Sequence, residues 1–277
     1  MKMLKIKFFK TAGIILCAML LFSSCKMLFK TKASKSTMTM TTAKEGEVII
    51  SAAGSGEMTI DWGDGTPIKT HTLVALGRSS VAMSYSHTYT GTSARTITIS
   101  GGNITLLGCW YNQITELDVS KNSALIRLGC DNNLLTKLDV SKNIALTGLG
   151  CDNNQLTELD VSKNSALTIL NCGDNQLSEL NVNKNSALTA LYCNNNLLNE
   201  LDVSGATALT QLQCWSNLLE APALNLLFGT LPNNPTPEKR NMIYIVGNPG
   251  TVAACSDISI PENKGWAVMC SVYKPIN

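Results

Sequence analysis

The sequence is poor in the groups on which most enzymes depend. Histidine occurs only at His71 and His87, and the sequence places no serine or cysteine nucleophile beside either one. A phosphate loop, a dinucleotide-binding glycine fingerprint and an H-E-x-x-H zinc motif are all missing from the chain. We therefore predict a protein that is not an enzyme and that carries no cofactor.

Aromatic and charged residues are also scarce, at 5% and 15% of the 277 residues, whereas 44% are hydrophobic. This composition suits a repeat protein filled with Leu, Val and Ala better than a globule with an aromatic core. The formal charge is +2, and removal of the four lysines within residues 1–24, a segment without acids, would leave −2. With no basic patch remaining, a nucleic-acid partner is not expected.

The sequence does contain one pattern that is repeated six times. Its marker is a cysteine repeated every 21 residues, at Cys109, Cys130, Cys151, Cys172, Cys193 and Cys214. Around the last five cysteines the frame reads L-x-x-L-x-C-x-x-N-x-L, and around Cys109 the first and last leucines are replaced by Ile104 and Ile114. This frame is typical of leucine-rich repeats. The alternation predicts a short strand in which Leu128 and Cys130 point inward while Arg127, Gly129 and Asp131 point outward. Stacked strands would form a parallel sheet whose inward leucines cover one another.

An asparagine follows each cysteine by three residues, from Asn112 to Asn217. We expect its amide to bond the peptide groups that lose their ladder partners where the chain leaves the strand. Asp118, Asp139, Asp160 and Asp202 recur in phase, which indicates turn formation and not a paired acid and base. Metal binding and a disulfide chain are the alternatives for the cysteines. Because C-x-x-C clusters are missing, we predict buried thiols and no metal site.

This frame resembles the 21-residue cysteine-ladder repeats of the internalin family. The resemblance covers residues 102–221 and implies a leucine-rich repeat solenoid with a curved parallel β-sheet and short helical or 3-10 segments. It implies a binding scaffold whose partner is set by variable surface positions.

The N-terminus has the features of an export signal. Residues 1–24 combine lysines with an apolar stretch, and the segment from Leu21 to Cys25 resembles a bacterial lipobox whose cysteine is lipidated. An uncleaved membrane helix is the alternative, but the apolar run is shorter than the roughly 20 residues a span needs. Residues 25–37 would then be a tether that holds the protein at the cell surface, with the outer membrane as the expected location.

Residues 38–101 are rich in short strands, including Glu47–Ser51 and Met58–Trp62. Trp62-Gly63-Asp64-Gly65 together with His87-Thr88-Tyr89 resembles the polycystic-kidney-disease (PKD) repeat, which implies a small immunoglobulin-like β-sandwich. We expect it to cover the first coil. Asp61 and Asp64 are assigned to turn formation, because two carboxylates fall short of the six to eight oxygens that calcium needs.

Residues 222–277 depart from the frame and are predicted to form the C-terminal cap. A helix is expected from Ala223 to Leu231, with strands at 241–246 and 266–269. Cys255 and Cys270 lie outside the 21-residue period. In an exported protein they could pair as a disulfide or stay free, and the sequence leaves both alternatives open.

The outward strand positions are the candidate ligand site, on the concave face. We single out Trp110, Tyr111, Arg127, Asp131, Asp152, Tyr192 and Trp215, because exposed aromatic and charged residues are enriched at contact sites. The alternative is that Trp110 packs on the N-terminal strands and Trp215 on the C-terminal cap. The expected function is that of a monomeric surface scaffold for a protein or glycan; a carbohydrate-binding accessory component and a plain spacer are the alternatives.

Overall fold

A computed structural model describes residues 36–75, 82–233, 241–255 and 257–271 of the chain. The signal segment and the lipidation site Cys25 lie outside these ranges. The described strands join in one 13-stranded sheet. In the described ranges, no helix has the length and apolar character required to cross a membrane.

The N-terminal part is built from long antiparallel strands. They are β1 (Thr37–Thr42), β2 (Gly46–Asp61), β3 (Lys69–Thr72), β4 (Met83–Tyr89) and β5 (Arg95–Gly108). β2 pairs with β3, β4 and β5, and β5 also pairs with β1. The two predicted strands at 47–51 and 58–62 are one strand, a correction to the sequence reading. The register shifts on either side of Gly54 and Ser55 let β2 continue through an irregularity.

The repeats form a stack of short parallel strands. After β6 (Ile114–Asp118) come β7 (Arg127–Gly129), β8 (Gly148–Gly150), β9 (Ile169–Asn171), β10 (Ala190–Tyr192) and β11 (Gln211–Gln213). The end of β5 pairs with β7, and each later strand pairs in parallel with the next, so that Leu128 lies opposite Leu149. All six ladder cysteines are fully buried. The predicted leucine-rich repeat solenoid and the buried thiols are confirmed.

An asparagine ladder holds successive coils together. The Asn154 amide donates to the carbonyls of Cys130 and Cys151 at 3.0 and 3.1 Å, and its Oδ1 accepts the Leu135 N–H at 3.0 Å. The bonds therefore satisfy peptide groups in two coils, as predicted. A second buried column, of which Asn164 is one member, bonds the Val140 and Asn143 carbonyls on the other flank.

At its N-terminal end the ladder is tied into the antiparallel strands. The Asn112 amide donates to the Ile49 carbonyl at 2.6 Å and accepts the Ile49 N–H at 3.1 Å. β1 pairs with β6 as well as with β5, so it lies along the flank of the first coil. The predicted division at residue 101 into a PKD-like sandwich and a repeat domain stays a prediction, since β5 belongs to both parts.

The C-terminal part continues the stack although the sequence frame has ended. Its elements are α1 (Ala221–Thr230), β12 (Asn241–Tyr244), α2 (Thr251–Ala254), α3 (Ser259–Asn263) and β13 (Trp266–Met269). β12 adds in parallel to β11, and β13 adds in parallel to β12. Asn248 accepts the Asn217 and Leu219 N–H groups and donates to the Cys214 carbonyl, so it takes the ladder position.

The last two cysteines are joined as a disulfide, with 6.1 Å between the Cα atoms of Cys255 and Cys270. β12 and β13 pair Tyr244 with Met269, so Ile245 and then Cys270 occupy the next two places of the cysteine column. Ile245 is fully buried. Cys270 lies outside the 21-residue period, yet the parallel register places it in the cysteine column.

Candidate binding face of the solenoid

The candidate site lies on the solvent face of the parallel strands. We define the concave row as the residues that directly follow the six buried cysteines. They are Trp110, Asp131, Asp152, Gly173, Asn194 and Trp215. Because the coils are identical in length, these six positions stand side by side about 4.8 Å apart, the spacing of hydrogen-bonded strands.

Trp110 lies across the glycines of two strands. A Cβ atom built on Gly108 would overlap the indole ring, and one built on Gly129 would lie 3.4 Å from the indole Nε1. The Trp110 side chain is nevertheless 40% exposed. Its ring is therefore supported from below by a backbone without side chains, and it is open to solvent on the sheet's outer face. The absence of a side chain at Gly108 is what permits this position.

Tyr111 lies next to this platform, with 67% of its surface exposed. Its backbone is left-handed, with φ at 57°, as is that of the equivalent residue in each of the following coils. The Lys44 ammonium donates to the Tyr111 carbonyl at 2.7 Å. The chain turns sharply here as it leaves the strand, which presents the phenol ring at the rim of the concave face.

Asp131 and Asp152 form a carboxyl pair beside Trp110. Asp131 Oδ1 accepts the Asp152 N–H at 3.2 Å and lies 2.6 Å from where a Gly150 Cβ would be. Asp152 Oδ1 accepts the Asn171 amide at 2.7 Å. Burial raises the pKa of Asp131 to about 8, and the hydrogen bond and negative charge of Asp152 add to the rise. The pair therefore tends to hold a proton at neutral pH.

The polar row continues beyond the predicted residues. The Asn195 amide donates to Asp174 at 2.7 Å, the Asn194 amide donates to it at 3.3 Å, and Asn194 lies on Gly173. The sequence places Asn194 among the outward strand positions, whereas Asp174 was not predicted to belong to the site. The signal was available, because both occupy the first or second place after a ladder cysteine.

The remaining predicted residues lie along the same face. The Tyr192 hydroxyl donates to Gln211 Oε1 at 2.8 Å, and both Tyr192 and Trp215 are half-buried. Arg127 is exposed, with its Cγ 3.7 Å from where a Gly148 Cβ would be. Ala190, at an outward position of β10, is only 8% exposed. Its methyl group is small and lies between Ile169 and Gln211 on the adjoining strands.

Other reactive groups in the described ranges are engaged in structure. Burial raises the pKa of the Cys109 and Cys214 thiols to about 12, which removes their nucleophilic form. His87 Nε2 lies 2.7 Å from Asp64 Oδ2 in the N-terminal turn. The hydrogen bond from Thr66, with a smaller effect of His87, lowers the pKa of Asp64 to about 2. Asp61 accepts the Gly63 N–H, as expected of a turn residue.

No family model and no curated protein matches the chain. Similar solved structures include an internalin (inlF) of Listeria monocytogenes, 30% identical over 44% of this chain and 38% of that one, with a TM-score of 0.41. The domain of InlJ from Listeria monocytogenes that includes a cysteine ladder is 24% identical over 62% and 55%, with a TM-score of 0.25.

A leucine-rich repeat protein of Leptospira interrogans is 24% identical over 47% of this chain and 36% of that one, with a TM-score of 0.45. The chain thus spans 36% to 55% of these three proteins. These similarities cover only part of each chain. The repeat fold is therefore assigned from the stacked strands and the asparagine ladder of this chain itself.

Proposed function

We propose that this protein is an exported, lipid-anchored surface protein whose concave face binds a protein or glycan partner. The observation that carries the proposal is the Trp110 ring, which rests on Gly108 and Gly129 and remains 40% exposed. Trp110 is followed directly by Tyr111, which is 67% exposed, and exposed aromatic residues of these two types are enriched at contact sites. The groups beside the Trp110 ring are polar and fixed in place.

The chemistry of the face suits a sugar. A tryptophan ring held flat can stack on the CH groups of a pyranose, and the neighbouring carboxyl and amide groups can bond its hydroxyls. Asp131, Asp152 and Asn171 are already held by their mutual hydrogen bonds, so little conformational entropy would be lost on binding. This arrangement supports the carbohydrate-binding alternative.

A protein partner is the second candidate. Arg127, Tyr192 and Trp215 belong to the residue types that dominate protein interfaces. They lie at the same face as Trp110, on strands that the asparagine ladder makes rigid. A partner that covers the whole face would contact both groups of residues, whereas a short glycan would contact one.

The location of the protein belongs to the same proposal. Residues 1–24 and the lipobox-like Cys25 support export and lipid attachment, with the outer membrane as the site. Labelling with a radioactive fatty acid tests this directly. Label should enter the wild-type chain and not the Cys25→Ala variant.

The binding experiment uses Gly108→Ala, which expels the Trp110 ring from its place without changing its chemistry. Gly148→Ala is the matched control, because the added methyl meets only the Arg127 Cγ at 3.7 Å, an ordinary contact. Wild type and both variants would be screened against a glycan array and a panel of surface proteins. Any hit should be lost with Gly108→Ala and Trp110→Ala and retained with Gly148→Ala.

Two results would count against the concave site. Hits that tolerate Gly108→Ala and Trp110→Ala would place binding elsewhere on the molecule. If the wild-type chain gives no hit and substitutions of its outward residues have no consequence at the cell surface, the spacer alternative is favoured.

A further inference from the structure

A second surface lies away from the concave face, on the flank of the last regular coils. Helix α1 has no charged residue in its ten positions, and Asn225 and Thr230 are its polar side chains. A helix that is apolar nearly all round is normally buried on every side. Here Leu224, Leu227 and Phe228 are buried, but Leu226 is 73% exposed.

The exposed side of α1 borders a groove. The groove has a volume of about 920 Å³ and lies between α1 and the turns of the two preceding coils. Pro222 and Leu226, one helical turn apart, line it on one side, and Leu218, itself 49% exposed, contributes from the coil. In the preceding coil, Leu197 occupies the position equivalent to Leu218 and is 48% exposed. Together these residues form an apolar strip at the surface.

The rim of the groove is acidic. Glu179, Glu200 and Glu220 line it, and Asp202 completes the set. The three glutamates are exposed, and their carboxylates form no hydrogen bond or ion pair with any residue that the structure describes. Among the described residues that line the groove, none is a lysine, an arginine or a histidine. Every charged side chain that lines the groove is therefore acidic.

We propose that this groove docks a cationic amphipathic helix of a partner protein. The helix would place apolar side chains three and four residues apart against Leu218, Pro222 and Leu226, which is how helices bind in apolar grooves. Lysine or arginine on its two edges would reach Glu179, Glu200 and Glu220. The charge excludes an anionic membrane surface as the occupant, because like charges repel.

The test uses the full chain and a model peptide of about four helical turns, with leucine on one face and lysine on the other. A second peptide carries glutamate in place of each lysine. Fluorescence anisotropy should show binding of the lysine peptide alone, and added salt should weaken it. Equal binding of the two peptides, or no binding of either, would overturn the proposal.

Variants then locate the site. Leu226→Asp should reduce affinity at least about tenfold, and Glu179→Gln combined with Glu200→Gln and Glu220→Gln should do the same. Leu134→Asp is the matched control, since Leu134 is 41% exposed in the coil position equivalent to Leu218 but lies outside the groove. Trp110→Ala should leave the peptide affinity unchanged, which separates this site from the concave one. Equal losses in Leu134→Asp and Leu226→Asp would also overturn the proposal.

Discussion

The six regular coils and the two coils that follow them are built by the same rules from different sequences. In the regular coils, cysteine fills the core position and asparagine bonds the turn; afterwards Ile245 and the disulfide-bonded Cys270 take the cysteine place, and Asn248 keeps the asparagine role. The residue at the cysteine place can differ between the two regions, because a close-packed interior requires that the space be filled and not that one residue type fill it. In the coil of Ile245 the amide is retained as Asn248, because the buried peptide groups of that coil must be satisfied.

The largest effect is expected where this rule is broken in the middle of the stack. Asn154→Ala removes the bonds to the Cys130 and Cys151 carbonyls and leaves the Leu135 N–H without an acceptor. We expect the free energy of unfolding to fall by about 4 kcal/mol, because several buried groups lose their partners at once. Urea unfolding followed by circular dichroism measures it.

Asn248→Ala is the counterpart in the irregular coils and should also destabilise the protein, by about 2 kcal/mol or more. The smaller figure is expected because the coil lies near the end of the stack. A negligible effect of either substitution would refute the claim that the amide is the common requirement of both regions.

The next largest effect concerns the disulfide, which closes a loop with a sequence separation of 15 between Cys255 and Cys270. Replacing both cysteines with alanine should reduce the stability of the last two coils by about 3 kcal/mol, chiefly through the unfolded state. Hydrogen exchange should quicken in β12 and β13 and stay unchanged in β7 and β8. Uniform quickening along the chain would mean that the two regions unfold as one unit.

Substitution of the thiols gives a smaller effect. Cys151→Ser should cost about 2 kcal/mol by burying a hydroxyl, and Cys151→Ala should cost less. Cys130→Ser should be milder, because the Cys130 thiol already donates to the Gly150 carbonyl at 3.3 Å and a hydroxyl can do likewise. Thermal denaturation of the three variants tests this order. A harmless Cys151→Ser would show that the column tolerates polar groups.

The last effect is a pH dependence confined to the regular coils. Because the pKa of Asp131 is raised, the folded chain holds a proton that the unfolded chain has released. Stability should therefore decline as pH rises from the ordinary aspartate range, near 4, to about 8. Urea titrations at pH 5 and pH 8 should show a smaller decline in Asp131→Asn than in wild type. Equal declines in both proteins would exclude the carboxyl pair as the cause.

The sequence was sufficient for the regular coils because each coil repeats the same inward leucine, thiol and amide. The irregular coils were missed for a definite reason. Ile245 follows Cys214 by 31 residues instead of 21, since α1 is inserted between them. The strand at Trp266–Met269 was predicted, but its place in the ladder register depends on parallel pairing with β12, which no spacing reveals.

The binding face was predictable only in outline. Alternation places Trp110 on the outer side of the sheet, but its position over Gly108 and Gly129 depends on a side-chain rotamer and on a neighbouring strand. The raised pKa of Asp131 likewise depends on contact with the next coil. The groove beside α1 could not be foreseen, because it forms between a helix and turns that are distant in the chain.

The arrangement of the cysteines has a consequence for how the protein is made. Eight cysteines from Cys109 to Cys270 are accessible in the newly synthesised chain. In the folded protein two of them form a disulfide and the other six are buried thiols. In an oxidising compartment, coils that stack before oxidants reach them would escape scrambled cross-links. Correct disulfide formation then requires the coils to stack faster than their thiols are oxidised. Slow-folding variants should therefore accumulate as mispaired, aggregated species.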